Sequence, residues 1–300
     1  MAGMGLLIGC FILGALARRF AKLPDNSHRA INAWVLNVSM PAFIIRLIHG
    51  VPLEAKLVWP VVSLWAVFAV PAVIAVVWSR GNAPRRNGDA GALALCVGLG
   101  STAFIGYPLC CALAGPSALP TAAVADQLGT FVALSFGAVP LATYLSGKPL
   151  TLWSVVRRVI TFPPMIALVV ALLLRGIVIP LDLDEVLDRL GNMLAPLALA
   201  SVGWQFDPTT LRGHERMVSV GLLWKLVLAP AMVALFLYCL HRQFTEVDRI
   251  AIAQAGMAPM ATAGVVATEF NLSPRLAAAL IAIGTPLSIF AVSVWWALLP

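Results

Sequence analysis

Residues 98–108 read GLGSTAFIGYP, and residues 254–264 read QAGMAPMATAG. Both put glycine, proline and small hydroxyl side chains in the middle of apolar segments. In hydrocarbon every backbone N–H and C=O must find a partner within the protein, so a helix break there is tolerated only where the freed groups face a cavity or one another. Two such breaks call for a particular frame, which the rest of the chain supplies.

Of 300 residues, 61% are hydrophobic and 11% charged, which is more apolar surface than a soluble core of this size can hide. Apolar stretches near the roughly 20 residues needed to cross a bilayer fall at 2–17, 29–49, 58–78, 90–115, 118–145, 159–179, 186–206, 217–240, 249–270 and 274–299. They lack the alternation of barrel strands, so the pattern predicts an all-α polytopic membrane protein of ten transmembrane helices. With those near a span end counted to the adjacent connection, Lys and Arg number 4, 3, 3, 2 and 1 in the odd connections against 2, 0, 2 and 2 in the even ones. That bias places the odd connections in the cytoplasm and both termini on the outer side of the cytoplasmic (inner) membrane. It also accounts for the net charge of +7, so no nucleic acid partner is implied.

The stretches repeat. NVSMP sets Asn37 four residues before Pro41, and NMLAP sets Asn192 four before Pro196, an offset of 155. Pro71 and Pro230 are 159 apart, as are Asp89 and Asp248, while LGT at Leu128 to Thr130 recurs 155 residues on as IGT at Ile283 to Thr285. Residues 1–148 and 149–300 thus read as two five-helix repeats. An odd unit repeated in one chain inserts with opposite orientation, which is the inverted-repeat architecture of a secondary transporter, here with the broken helix fourth in each half. Asn37 and Asn192 are expected to bond across the second and seventh helices.

Two half-helices meeting head to tail would aim positive N-terminal ends at one point, suiting an anion such as a carboxylate, with hydroxyls as added donors. The candidate substrate-binding residues are Gly100, Ser101, Thr102, Phe104, Tyr107, Pro108, Pro259, Ala261 and Thr262. An ionisable residue deep in a span is a functional candidate. Asp126, with Gln127 and Gln254, is either a proton or coupling-ion site or an interfacial acid on a helix that begins near Pro120. Lys225 is a fixed internal cation or, the cheaper expectation, a side chain snorkelling to the cytoplasmic face; Arg46, Arg175 and Glu269 lie nearer span ends, where snorkelling suffices. Cys10, Cys96, Cys110, Cys111 and Cys239 follow no metal spacing and read as packing residues, so no metal or cofactor is expected. Without Gly-x-Ser-x-Gly or His-Glu-x-x-His, an intramembrane enzyme is not expected either.

Taken together, NAWVLNVSMPAFIIRL (32–47), GSTAFIGYPLCCALAG (100–115), VADQLGT (124–130) and AQAGMAPMATAGVVATEFNLS (253–273) resemble the auxin efflux carrier family, on its bacterial malonate or malate carrier branch. The resemblance extends over nearly the whole chain. In the family's fourth-helix pattern Gly100, Phe104, Gly106 and Pro108 match, while Ser101 and Ala103 replace Asn and Gly; in the ninth helix Pro259 matches and Thr262 replaces Asn. The resemblance implies a bile-acid-symporter/NhaA-like transporter fold with crossing broken helices. Helices 1, 2, 6 and 7 would form a scaffold, and helices 3–5 and 8–10 a core that moves as an elevator. The expected partners are a small organic anion, the lipid bilayer, a coupling proton or sodium ion, and a second copy in a homodimer. The lost asparagines imply a roomier or more hydrated pocket. The alternative is a sodium-coupled bile-acid-type symporter, marked by saturable sodium dependence.

Overall fold

The computed structural model describes residues 2–21, 24, 26–50, 54–81, 84–147, 153, 156, 157, 160–206, 211 and 213–299. Among them all regular structure is helical. In chain order the helices are α1 (Ala2–Phe20), α2 (Ser27–His49), α3 (Ala55–Ser79), α4 (Pro84–Gly98), α5 (Gly106–Ala114), α6 (Pro116–Ser146) and α7 (Pro163–Leu173). They continue with α8 (Leu181–Asn192), α9 (Leu194–Gln205), α10 (Glu215–His241), α11 (Glu246–Ala255), α12 (Ala261–Glu269) and α13 (Pro274–Leu298).

Five of these, α2, α3, α6, α10 and α13, are each long and apolar enough to cross a membrane. In α3 the residues turned outward, Trp65, Val73, Ile74 and Val77, are as apolar as the buried Leu64, Val67 and Phe68. A helix apolar all round sits in hydrocarbon, and the chain is a multi-pass membrane protein. The predicted stretch at 90–115 is divided into α4 and α5, and that at 249–270 into α11 and α12. The stretch at 159–179 shortens to α7, whose N1 proline starts it at Pro163. The repeat boundary between 148 and 149 lies outside the described residues.

The chain forms two compact units, each drawing on both halves of the sequence. The first comprises residues 1–54, 103–123 and 157–206, and the second residues 55–102, 124–156 and 207–300.

In the first unit α1 packs against α9 with almost no space between the backbones. A Cβ on Gly14 would stand 2.0 Å from Ala200 O, and one on Gly203 2.0 Å from Phe11 O. Small residues permit this approach, which replaces the hydrophobic drive that lipid removes. The polar link between the second and seventh predicted helices is not the expected Asn37–Asn192 pair: Ser201 donates to Asn32 Oδ1 at 2.6 Å, and Asn37 Nδ2 donates to Ala33 O in its own helix at 2.7 Å. The cause is local, because α2 widens to a π turn over Val35–Ser39 and the carboxamide takes the carbonyl one turn back. Arg46 ends in an ion pair with Asp184 and Asp188, at 3.0 and 2.6 Å.

In the second unit α3 lies along α4, and the Phe68 ring fills the space left by two glycines. A Cβ would meet it at 2.9 Å from Gly98 and at 2.4 Å from Gly137. Leu64, Val67, Ala229, Val233, Leu237, Ala251 and Ile252 form an adjoining apolar cluster. Here too the helices carry π turns, at Ala125–Thr130 and Ala133–Ala138 in α6 and at Trp224–Leu228 in α10. An indole serves a carbonyl in two of them: Trp65 Nε1 donates to Leu128 O at 2.9 Å, and Trp295 Nε1 donates to Leu226 O at 3.0 Å.

Candidate functional site

The site lies in the second unit, where α4 stops at Gly98 and α11 stops at Ala255. Gly100 and Pro259 meet as an isolated antiparallel bridge. The Ser101 N–H donates to Ala258 O at 2.7 Å, and the Met260 N–H donates to Leu99 O at 3.0 Å. Each broken segment thereby satisfies part of the other, as a break in hydrocarbon requires. Gly284, in the repeated IGT triplet, makes room for the crossing, since a Cβ there would stand 2.6 Å from Pro259 Cδ. Two of the amides freed by the breaks are thus engaged in the crossover, and attraction for an anion has to come from other groups.

Lys225 is such a group. Its side chain is 0% exposed, and Nζ has no hydrogen-bond partner among the described residues. A Cβ built on Gly100 would stand 3.2 Å from Nζ and 3.4 Å from Gln254 O, so the amine lies against the glycine of the bridge. This corrects the snorkelling expectation: Lys225 is about 15 Å along α10 from Glu215, too deep for its stem to bring Nζ to water.

Two residues beyond Gly100 the chain carries a buried polar cluster. Thr102 Oγ1 donates to Asp126 Oδ1 at 2.5 Å and lies 2.9 Å from Thr130 Oγ1. Gln127 Nε2 donates to Asp126 Oδ2 at 2.7 Å, and Gln254 Nε2 donates to Thr102 O at 3.3 Å. Asp126 is 3% exposed and stands within the Ala125–Thr130 π turn of α6. Asp126 and Lys225 each sit on a π turn, a widening that recurs at functional positions. Sequence reasoning brought Asp126, Gln127 and Gln254 forward; it undervalued Lys225 and noted Thr130 only as part of the repeated LGT triplet, not as a site residue.

Gly100, Ser101, Thr102 and Pro259 are all buried at the crossing, while Ala261 and Thr262 are half-buried in the first turn of α12. No side chain caps that turn. Phe104, Tyr107 and Pro108 belong to the first unit. There Tyr107, 1% exposed, stacks on Phe43 with ring centroids 5.2 Å apart.

Comparison with known proteins points to membrane transport. Residues 149–296 match the family described as membrane transport protein. An uncharacterized transporter of Methanothermobacter thermautotrophicus is 24% identical over 95% of this chain and 93% of its own length. One of Methanocaldococcus jannaschii is 22% identical over 96% and 95%. Through its second half the chain is thus similar to the membrane transport protein family, in line with its resemblance to the auxin efflux carriers.

Proposed function

We propose that this transporter is a secondary carrier of small organic anions, with the substrate carboxylate held beside Lys225 at the crossing of the fourth and ninth helices. The observation that carries the reading is a buried amine without a hydrogen-bond partner among the described residues, lying against the bridge glycine. A buried charge of this kind is costly unless something pairs with it, and a carboxylate supplies both the opposite charge and the missing acceptors. The half-buried first turn of α12 adds N–H groups and the Thr262 hydroxyl.

The frame belongs to the same proposal: ten spans in two inverted five-helix repeats, both termini outside the cytoplasmic membrane, and alternating access of the elevator type. The matched offsets along the sequence and the placing of each break fourth in its half support it. So does the gathering of α3, α4, α10, α11 and α13 into one compact unit that contains Gly100, Pro259 and Lys225.

The test is thermal stability of the detergent-purified protein against acetate, benzoate, malonate and succinate, each in sodium and in potassium buffer. A carboxylate at 100 times its dissociation constant should add about 2.7 kcal/mol. Lys225→Met should weaken that carboxylate about 10- to 100-fold, the loss of one charge-assisted contact of about 1.5–3 kcal/mol. Equal stabilisation of wild type and Lys225→Met would place the anion elsewhere. Stabilisation only in sodium would favour the sodium-coupled alternative.

A further inference from the structure

Resting on the reading that Lys225 receives a carboxylate, we infer that Asp126 takes up a proton whenever the anion binds, so that anion and proton are carried together. The two side chains adjoin one short piece of backbone. Lys225 Nζ lies against Gly100, and Asp126 Oδ1 accepts from the hydroxyl of Thr102 two residues on. With both charged, the buried locus is neutral. A carboxylate set on Lys225 leaves it with one net negative charge out of reach of water, a state that proteins avoid by shifting a proton. A proton taken from water onto Asp126 restores neutrality and asks for no new side-chain position.

The hydrogen bonds around Asp126 accommodate either state. As a carboxylate it accepts from Thr102 Oγ1 and from Gln127 Nε2. Thr102 Oγ1 also lies 2.9 Å from Thr130 Oγ1 and 3.4 Å from Gly100 O. A hydroxyl has one proton to give, and the ionised carboxylate, the stronger acceptor, takes it. Once Asp126 is protonated it donates to Thr102 Oγ1, and the Thr102 hydroxyl turns its own proton to Thr130 or to Gly100 O. Gly100 is the bridge residue against which Lys225 lies, so the proton on Asp126 and the anion on Lys225 act on the same residue.

The other titratable groups on these helices stand away from mid-depth. Besides Asp126, α6 carries only Tyr144, near its end, and α3 carries none from Val58 onward. The charges of α4 all precede residue 90, leaving Cys96 as its one titratable group toward the break. Those of α11 are Glu246, Asp248 and Arg249 in its first turn, and α13 has only Arg275 at its start. Apart from Lys225, α10 carries Glu215, Arg216, Tyr238, Cys239 and His241 toward its two ends, and α12 has only Glu269, its last residue. Asp126 and Lys225 are therefore the two charged groups that meet at the break.

Isothermal titration calorimetry of the full chain, in potassium buffers of different ionisation enthalpy with the same four carboxylates as probes, counts the protons exchanged on binding. The expected result is uptake of a single proton per carboxylate bound, with affinity falling as pH rises. Asp126→Asn, which imitates the protonated acid, should bind without proton uptake and with affinity flat in pH. Binding with no proton exchange in the wild type would overturn the proton and leave the anion site standing. Absence of binding by all four probes would overturn both. Uptake persisting in Asp126→Asn would assign the proton to another group and overturn the role of Asp126. If Asp126→Asn does not fold, the wild-type proton count still decides, and Thr102→Val supplies the second variant: it should move the pH range over which uptake occurs, and an unmoved range would count against Asp126.

Discussion

Thr102 joins more of the site than any other side chain described: its hydroxyl serves Asp126, and its carbonyl accepts from Gln254. Thr102→Val keeps the shape and removes the donor, leaving a buried carboxylate oxygen without that partner. The expected cost is about 1–3 kcal/mol, with Thr102→Ser close to wild type, as thermal unfolding in detergent would measure. Ser201 offers a contrast, since its bond to Asn32 joins two neutral groups in a partly buried place. Ser201→Ala should cost only about 0.6 kcal/mol, the usual worth of a polar contact between membrane helices. At this scale Asp126 was legible in the sequence because an acid in an apolar run announces itself. Lys225 was ambiguous, because a long stem lets the same residue type lie at any depth.

At the scale of the elements, glycines set helix spacing and π turns set where polar groups point. The α1–α9 contact can be tested by Gly203→Ala. The added Cβ would stand 2.0 Å from a backbone oxygen that cannot turn away, so the helices must separate, at about 1–3 kcal/mol. Gly9→Ala is the control within α1: nothing lies within 4 Å of its Cβ, and the change should be neutral or stabilising by up to about 1 kcal/mol. Thermal unfolding of the two variants side by side should show a lowered midpoint for Gly203→Ala and no lowering for Gly9→Ala. The breaks themselves were legible, because Gly and Pro act locally on backbone geometry. The π turns were not: they add one residue to a helical turn without a distinctive composition, and by doing so in α2 they turned Asn37 back onto its own helix.

At the scale of the molecule, the proposed topology makes a direct prediction. With ten spans and outer termini, alkaline phosphatase fused after residue 300 should be active outside the cytoplasmic membrane, and green fluorescent protein fused there should stay dark; the reverse result would remove a span or invert the charge reading. By itself the sequence determined that the chain is helical, apolar and membrane-embedded, where its helices are interrupted, and that it resembles a family of carriers. Hydropathy, charge bias and helix-breaking residues are properties of short windows, and they survive without any knowledge of packing. Only the tertiary structure decided that the freed amides of Ser101 and Met260 pair with the opposite broken segment, that Lys225 lies against Gly100, and that Asp126 is tied to Thr102. These contacts join residues far apart along the chain. Their energies depend on distance and on exclusion of water, two quantities that exist only once the helices are packed.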